Sequence, residues 1–136
     1  MAWDVKYVPD TDTIELKHTG SLSSQDTKEQ AQVVLCLMME TQAARFLLDY
    51  SETLSSVPTE DARALPEYCE RLGAQRHIRV ALVVPASRFN IASYQLFAWA
   101  ARERGFSVEL FPNRESAREW LLTGEPALQS QAVARP

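Results

Sequence analysis

The order in which this chain spaces its apolar residues leaves few folds open. Three short aliphatic or β-branched runs, Arg45 to Asp49, Arg79 to Val84 and Ser107 to Phe111, are each followed by a longer stretch with helical spacing, and a two-strand opening at Trp3 to His18 precedes them. Alternating strand and helix points to an α/β layered domain, because parallel strands need a crossover and a helix is the usual one. The right-handed sense of such crossovers reduces the topologies further. The expected fold is a mixed, mostly parallel sheet of about five strands with an N-terminal antiparallel hairpin and about four helices.

In the opening, Trp3, Val5 and Tyr7 share one face of a strand, and Ile14 and Leu16 alternate in its partner over Thr13 to His18. Between them Pro9-Asp10-Thr11-Asp12 supplies turn residues. Gly20 and the Ser21 to Ser24 cluster should break the second strand, with Ser23 or Ser24 as the N-cap of a helix running to about Thr41. Its core stripe is Ala31, Val34, Leu35 and Met38, and Leu37 and Met39 widen the apolar arc. Arg45 to Asp49 reads as a buried central strand. Its end, Asp49-Tyr50-Ser51-Glu52, would bring polar side chains to the carboxyl edge of the sheet, where ligands of open α/β sheets bind.

Thr59, Glu60 and Asp61 look like a helix start, and Pro66 leaves two options: a helix that begins near Leu65, or one kinked at the proline. Leu65, Tyr68, Cys69 and Leu72 form its apolar stripe. Arg79 to Pro85 is the clearest strand. From about Asn90 to Arg104 the chain should form a helix whose Ile91, Tyr94, Leu96, Phe97 and Trp99 point in nearly all directions, ended by Gly105. Pro112-Asn113 leads into a last helix with Ala117, Trp120 and Leu121 inward. One domain over residues 1–123 and a flexible C-terminal tail over 124–136 are expected.

Composition removes several functions. With 136 residues, 46% apolar, 24% charged and a net charge of -4, the chain has ordinary globular composition and lacks the clustered cations that nucleic-acid binding requires. Cys36 and Cys69 each fall in a helical apolar pattern and read as small buried hydrophobes. His18 and His77 read as surface residues, and nothing joins them as metal ligands, so neither a metal nor a cofactor is expected. Four glycines and no GxSxG or glycine-rich loop exclude a P-loop or dinucleotide fingerprint. The N-terminus lacks the pattern of a signal peptide and no apolar run spans a bilayer, so a cytoplasmic protein is expected, with peripheral membrane contact left open.

Taken together, the hairpin around Pro9 to Asp12, Phe46-Leu47-Leu48-Asp49-Tyr50-Ser51, the strand Val80 to Val84, and Gly105-Phe106-Ser107-Val108 before Phe111 resemble the STAS domain, specifically the bacterial SpoIIAA-like family. The resemblance spans about Trp3 to Leu122. Anti-sigma antagonists of this fold carry a regulatory serine in an Asp-Ser-Ser-Gly motif. Setting Asp49 and Ser51 on the family's Asp-x-Ser brings that motif onto Val57-Pro58-Thr59-Glu60, where Thr59 alone can stand for the serine. The neighbouring Asp and Gly are missing, and Glu60 and Asp61 put negative charge where a phosphate would go. The SpoIIAA-like branch is similar in fold to Sec14-type lipid carriers, and its members look like small-ligand or membrane-surface binders.

The candidate ligand or partner surface is Asp49, Tyr50 and Ser51 at the strand edge, with Tyr94, Phe97 and Trp99 of the aromatic helix and Arg88 ahead of it. The apolar excess of that helix needs a cover: the preceding helix, a second subunit or another protein, an apolar small molecule, or a membrane surface. The reading is a non-enzymatic STAS-like binding or regulatory module. The alternative is a partner-switching regulator of the anti-sigma-antagonist type, controlled by phosphorylation at Thr59 or Ser51. A third, weaker option is a hydrolase or transferase using Ser51 or Cys69.

Overall fold

Five strands pair in their order along the chain, β1 (Trp3–Val8), β2 (Thr13–Ser21), β3 (Arg45–Ser55), β4 (Arg79–Val83) and β5 (Ser107–Phe111). The computed structural model describes residues 2–55, 57–86 and 91–124. β1 and β2 are antiparallel, and every later pair is parallel. A 3-10 turn at Pro9–Thr11 closes the hairpin. Asp12 takes the left-handed backbone there, at φ 51°, and accepts a hydrogen bond from the Tyr7 hydroxyl at 2.5 Å. Asp is one of the few side chains that tolerates this conformation.

Four helices follow the strands: α1 (Ser24–Thr41), α2 (Thr59–Arg71), α3 (Ile91–Glu103) and α4 (Arg114–Thr123). Between the two serines open as N-cap, Ser23 takes the position, its hydroxyl accepting from Asp26 N while the Asp26 carboxylate accepts from Ser23 N. Asn113 caps α4 with its side-chain oxygen, which accepts from Ser116 N at 2.8 Å. Each parallel step moves in one direction across the sheet, so right-handed crossovers put α1, α2 and α3 on one face. The other face is left to α4, which packs on β3, β4 and β5.

Strand alternation therefore builds two core layers. On the three-helix face lie Ile14, Leu16, Phe46, Tyr50, Val80, Leu82 and Val108, packed against Val34, Leu35, Met38 and Ala98. On the α4 face Leu47, Ala81, Val83 and Phe111 meet Ala117, Trp120 and Leu121. Burying one such Leu or Phe side chain contributes about 2 kcal/mol. Arg45 and Arg79 reach the carbonyls that end α4, with Arg45 Nε donating to Leu121 O at 2.9 Å. Cations at a helix C-terminus oppose the dipole there.

Several local expectations are corrected. β2 continues through Gly20 to Ser21 instead of breaking, because β3 offers it a longer partner; two register shifts absorb the mismatch, and Gly20 sits at φ 85°. β3 accordingly runs on to Ser55, six residues past the expected end. Asp49 is the last β3 residue paired with β4, so the carboxyl edge still falls there for the inner strands. α2 is continuous from Thr59 with Pro66 buried in its interior, which rules out a start near Leu65. Pro58 occupies the N-cap and Thr59 the first helical position. Cys36 is exposed on the outer side of α1 and does not pack in the core. The residues expected as a flexible tail after Gly124, and Asn90 as a helix start, lie outside the described residues.

Candidate functional site

α2 rests on α3 and α1 more than on the strands below it, and the gap beneath holds a cavity of about 110 Å³. The sheet contributes Leu16, Phe46, Tyr50, Val80 and Leu82 to its wall, α1 contributes Gln30 and Val34, α2 contributes Ala62, Pro66 and Cys69, and α3 contributes Ser93, Tyr94 and Phe97. No lining side chain carries a formal charge. The small Ala62 and the ring of Pro66 reduce what α2 can push toward the sheet, so the local sequence of the helix helps to keep the space open.

Polar groups enter this wall in two ways. The first is a closed relay. Tyr50 donates its hydroxyl to Gln30 Oε1 at 2.8 Å, Gln30 Nε2 lies 2.9 Å from His18 Nδ1, and His18 Nε2 lies 2.9 Å from Ser21 O. Since the Gln30 oxygen is taken by Tyr50, its amide nitrogen faces the imidazole; the network assigns Nδ1 as acceptor and places the ring hydrogen on Nε2, which donates to Ser21 O. His18 is 0% exposed, against the expectation of a surface residue. It falls on the same strand face as Ile14 and Leu16, and Gln30 gives it the partner that burial demands. Burial, then the neighbouring Tyr94 and Cys69, push the Tyr50 hydroxyl well above the ordinary range for a phenol.

The second group is unpaired. Among the described residues, the hydroxyls of Ser93, Tyr94 and Thr53 are buried with no hydrogen-bond partner. Ser93 and Tyr94 line the cavity, and the Tyr94 ring lies 5.5 Å from that of Tyr50. Burial raises the Tyr94 pKa; the Thr53 side chain acts in the opposite direction, yet the two hydroxyls do not meet in hydrogen-bond geometry. Cys69 is pushed up to about 12 by burial, so its sulfur is a neutral thiol and part of the apolar wall.

The residues predicted as one surface fall in different places. Tyr50, Tyr94 and Phe97 come together at the cavity. Asp49 and Ser51, one step along the strand from Tyr50, point to the opposite face. There Ser51 donates its backbone N–H and its hydroxyl to Asp49 Oδ1 at 2.9 and 2.6 Å. Arg114 bridges Asp49, at 3.4 Å, and Glu15, at 2.7 Å, and Arg118 approaches Glu15 at 3.5 Å. Asp49 and Glu15 are 2% and 6% exposed. The sequence reading missed Glu15 and Arg114, since nothing in the chain brings together residues so far apart. Trp99 stands 54% exposed on α3, Thr59 is exposed at the start of α2, and Arg88 lies outside the described residues. α1 and α3 flank α2, and both line the cavity.

Among the described residues no group of three His, Cys, Asp or Glu is placed to hold a metal ion, and no helix is long and apolar enough to cross a membrane.

No protein-family model matches this sequence, and no curated protein matches it either. Among solved structures, an uncharacterised protein of the DUF3478 family with a SpoIIAA-like fold, from Shewanella loihica PV-4, aligns over 88% of this chain and 92% of its own with a TM-score of 0.50 and 18% identity. The anti-sigma factor antagonist SpoIIAA in its unphosphorylated form aligns over 98% of this chain and 96% of its own with a TM-score of 0.44 and 13% identity. The chain has a SpoIIAA-like α/β fold, with the mixed five-stranded sheet and four helices described above.

Proposed function

We propose that this chain works as a non-enzymatic binding module that holds a small apolar ligand in the cavity beneath α2. The observation that carries this reading is the pair of unpartnered hydroxyls of Ser93 and Tyr94 on the wall of that cavity. A buried hydroxyl without a partner costs about 1–3 kcal/mol, and native proteins keep few of them. Two such groups on the wall of an apolar cavity are what a binding pocket offers a ligand. The test is native mass spectrometry of gently purified protein, followed by a thermal-shift screen of small apolar molecules. A bound mass released on denaturation, or a concentration-dependent rise in melting temperature, supports the reading. A protein that carries nothing and responds to none of the molecules ends it.

A second reading, the phosphorylation-controlled partner switch, draws on the exposure of Thr59 in the first turn of α2, where backbone N–H groups favour an anion. Intact-mass analysis after incubation with the kinases of the source cell tests it. Absence of an added phosphate at Thr59 or Ser51 removes it.

A further inference from the structure

We infer that the ligand of this cavity is an uncharged molecule of about four to six non-hydrogen atoms that carries one hydrogen-bond-accepting oxygen, such as a short ketone, aldehyde or ester. The inference rests on the binding reading above and gives it a chemical class.

Size comes from the space itself. A void of about 150 Å³ accommodates benzene. The walled part of this one, at about 110 Å³, holds something no larger.

The absence of charge comes from the wall. None of the lining side chains is ionised, and the hydrogen-bonding groups that come nearest to a cation, the His18 ring nitrogens, are both committed, to Gln30 and to Ser21 O. A carboxylate or ammonium moved into such a wall would lose its hydration with no opposite charge to replace it. The tyrosine hydroxyls and the Cys69 thiol around the space are themselves held in their neutral forms by burial.

The accepting oxygen comes from the unpaired donors. The hydroxyls of Ser93 and Tyr94 are 5% and 6% exposed by residue, line the cavity, and each has an O–H with nothing to donate to. The Tyr50 hydroxyl is already spent on Gln30. A molecule that brings an acceptor to the α3 wall satisfies a donor that is otherwise unmet, whereas a hydrocarbon of the same shape leaves it as it is.

Ligand-observed NMR titration with four probes of similar size separates the possibilities: cyclopentanone, methylenecyclopentane, butyrate and butylammonium. Cyclopentanone is expected to bind roughly fivefold more tightly than methylenecyclopentane, the ratio that one net hydrogen bond provides. Tyr94→Phe, or Ser93→Ala if that hydroxyl is the one engaged, should lower the ketone to the level of the hydrocarbon, with a cooperative urea transition showing that the variant is folded. Neither ion should bind. Equal affinity for ketone and hydrocarbon in the wild type, or binding of butyrate or butylammonium at least as tight as that of the ketone, overturns the inferred ligand class while the binding function stands. No binding by any of the four overturns both.

Discussion

Replacing Tyr94 by Phe should stabilise the ligand-free protein, against the general tendency of substitutions at buried positions to destabilise by about 1 kcal/mol. The exchange keeps the ring and its packing on Tyr50 at 5.5 Å and removes only an oxygen that has no hydrogen-bond partner. Leaving a hydroxyl buried and unmet costs about 1–3 kcal/mol, and the lower end applies because the Thr53 side chain lies near enough to soften the loss. A gain of about 1 kcal/mol follows. For a domain of this size that is a rise of roughly 4 °C in melting temperature. Ser93→Ala should gain slightly more, about 1.5 kcal/mol, since alanine also favours the helix by about 0.5 kcal/mol. Urea unfolding followed by tryptophan fluorescence, with calorimetry as a check, measures both. If Tyr94→Phe lowers the midpoint by an amount comparable to the expected gain, the hydroxyl has a partner in solution and the case for a binding pocket there loses its basis.

On the opposite face, Arg114→Met should cost about 3 kcal/mol, or roughly 12 °C, because Asp49 and Glu15 stay buried without their bridging cation; a loss below about 1 kcal/mol in chemical denaturation would mean that water replaces the guanidinium. Gln30→Leu removes the acceptor of Tyr50 and the donor to His18 together, and a loss of about 3 kcal/mol is expected by the same assay, with a neutral result contradicting the relay. A thiol reagent at neutral pH should label the exposed Cys36 faster than the half-buried Cys69 in the folded protein and both alike in denaturant, and equal rates at the two in the folded protein would contradict the raised pKa of Cys69. Because the Cys69 pKa is raised from 9.0 to about 12, the stability it lends is fully present below pH 9 and lost as the pH climbs toward 12, by up to about 4 kcal/mol. A Cys69→Ala variant should show a correspondingly flatter alkaline limb in denaturation midpoints, and an unchanged limb would refute it.

Much of the architecture was legible because the patterns that carry it are local. The runs near Leu47, Leu82 and Val108 do lie side by side, and the turn at Pro9 to Asp12 does fold β1 onto β2. Errors cluster where a distant partner decides. β2 passes through Gly20 because β3 pairs with it there, a tertiary effect that outweighs a local breaker. The placement of His18 was readable, since Ile14, Leu16 and His18 alternate, but the expectation followed the residue type over the period. Cys36 failed in the reverse direction: its neighbours Leu35 and Met38 are buried, while its own position on the helix turns outward. For the site, Tyr50, Tyr94 and Phe97 were named, yet grouping Asp49 and Ser51 with Tyr50 overlooked that adjacent strand residues face opposite sides. The role of Gln30 and the pairing of Glu15 with Arg114 depend on contacts that no periodicity encodes.

The bond from Arg114 to Glu15 spans 99 positions, and that from Arg45 to Leu121 spans 76, whereas each strand hydrogen-bonds to its immediate predecessor. A ribosome releasing this chain thus delivers the sheet in the order in which it assembles, each new strand finding its template already made. The acids at positions 15 and 49 must wait in water until α4 emerges with its guanidinium. Closure of the sheet is thereby tied to the arrival of α4, and a product cut short before Asn113 would keep two carboxylates facing solvent from an unclasped sheet.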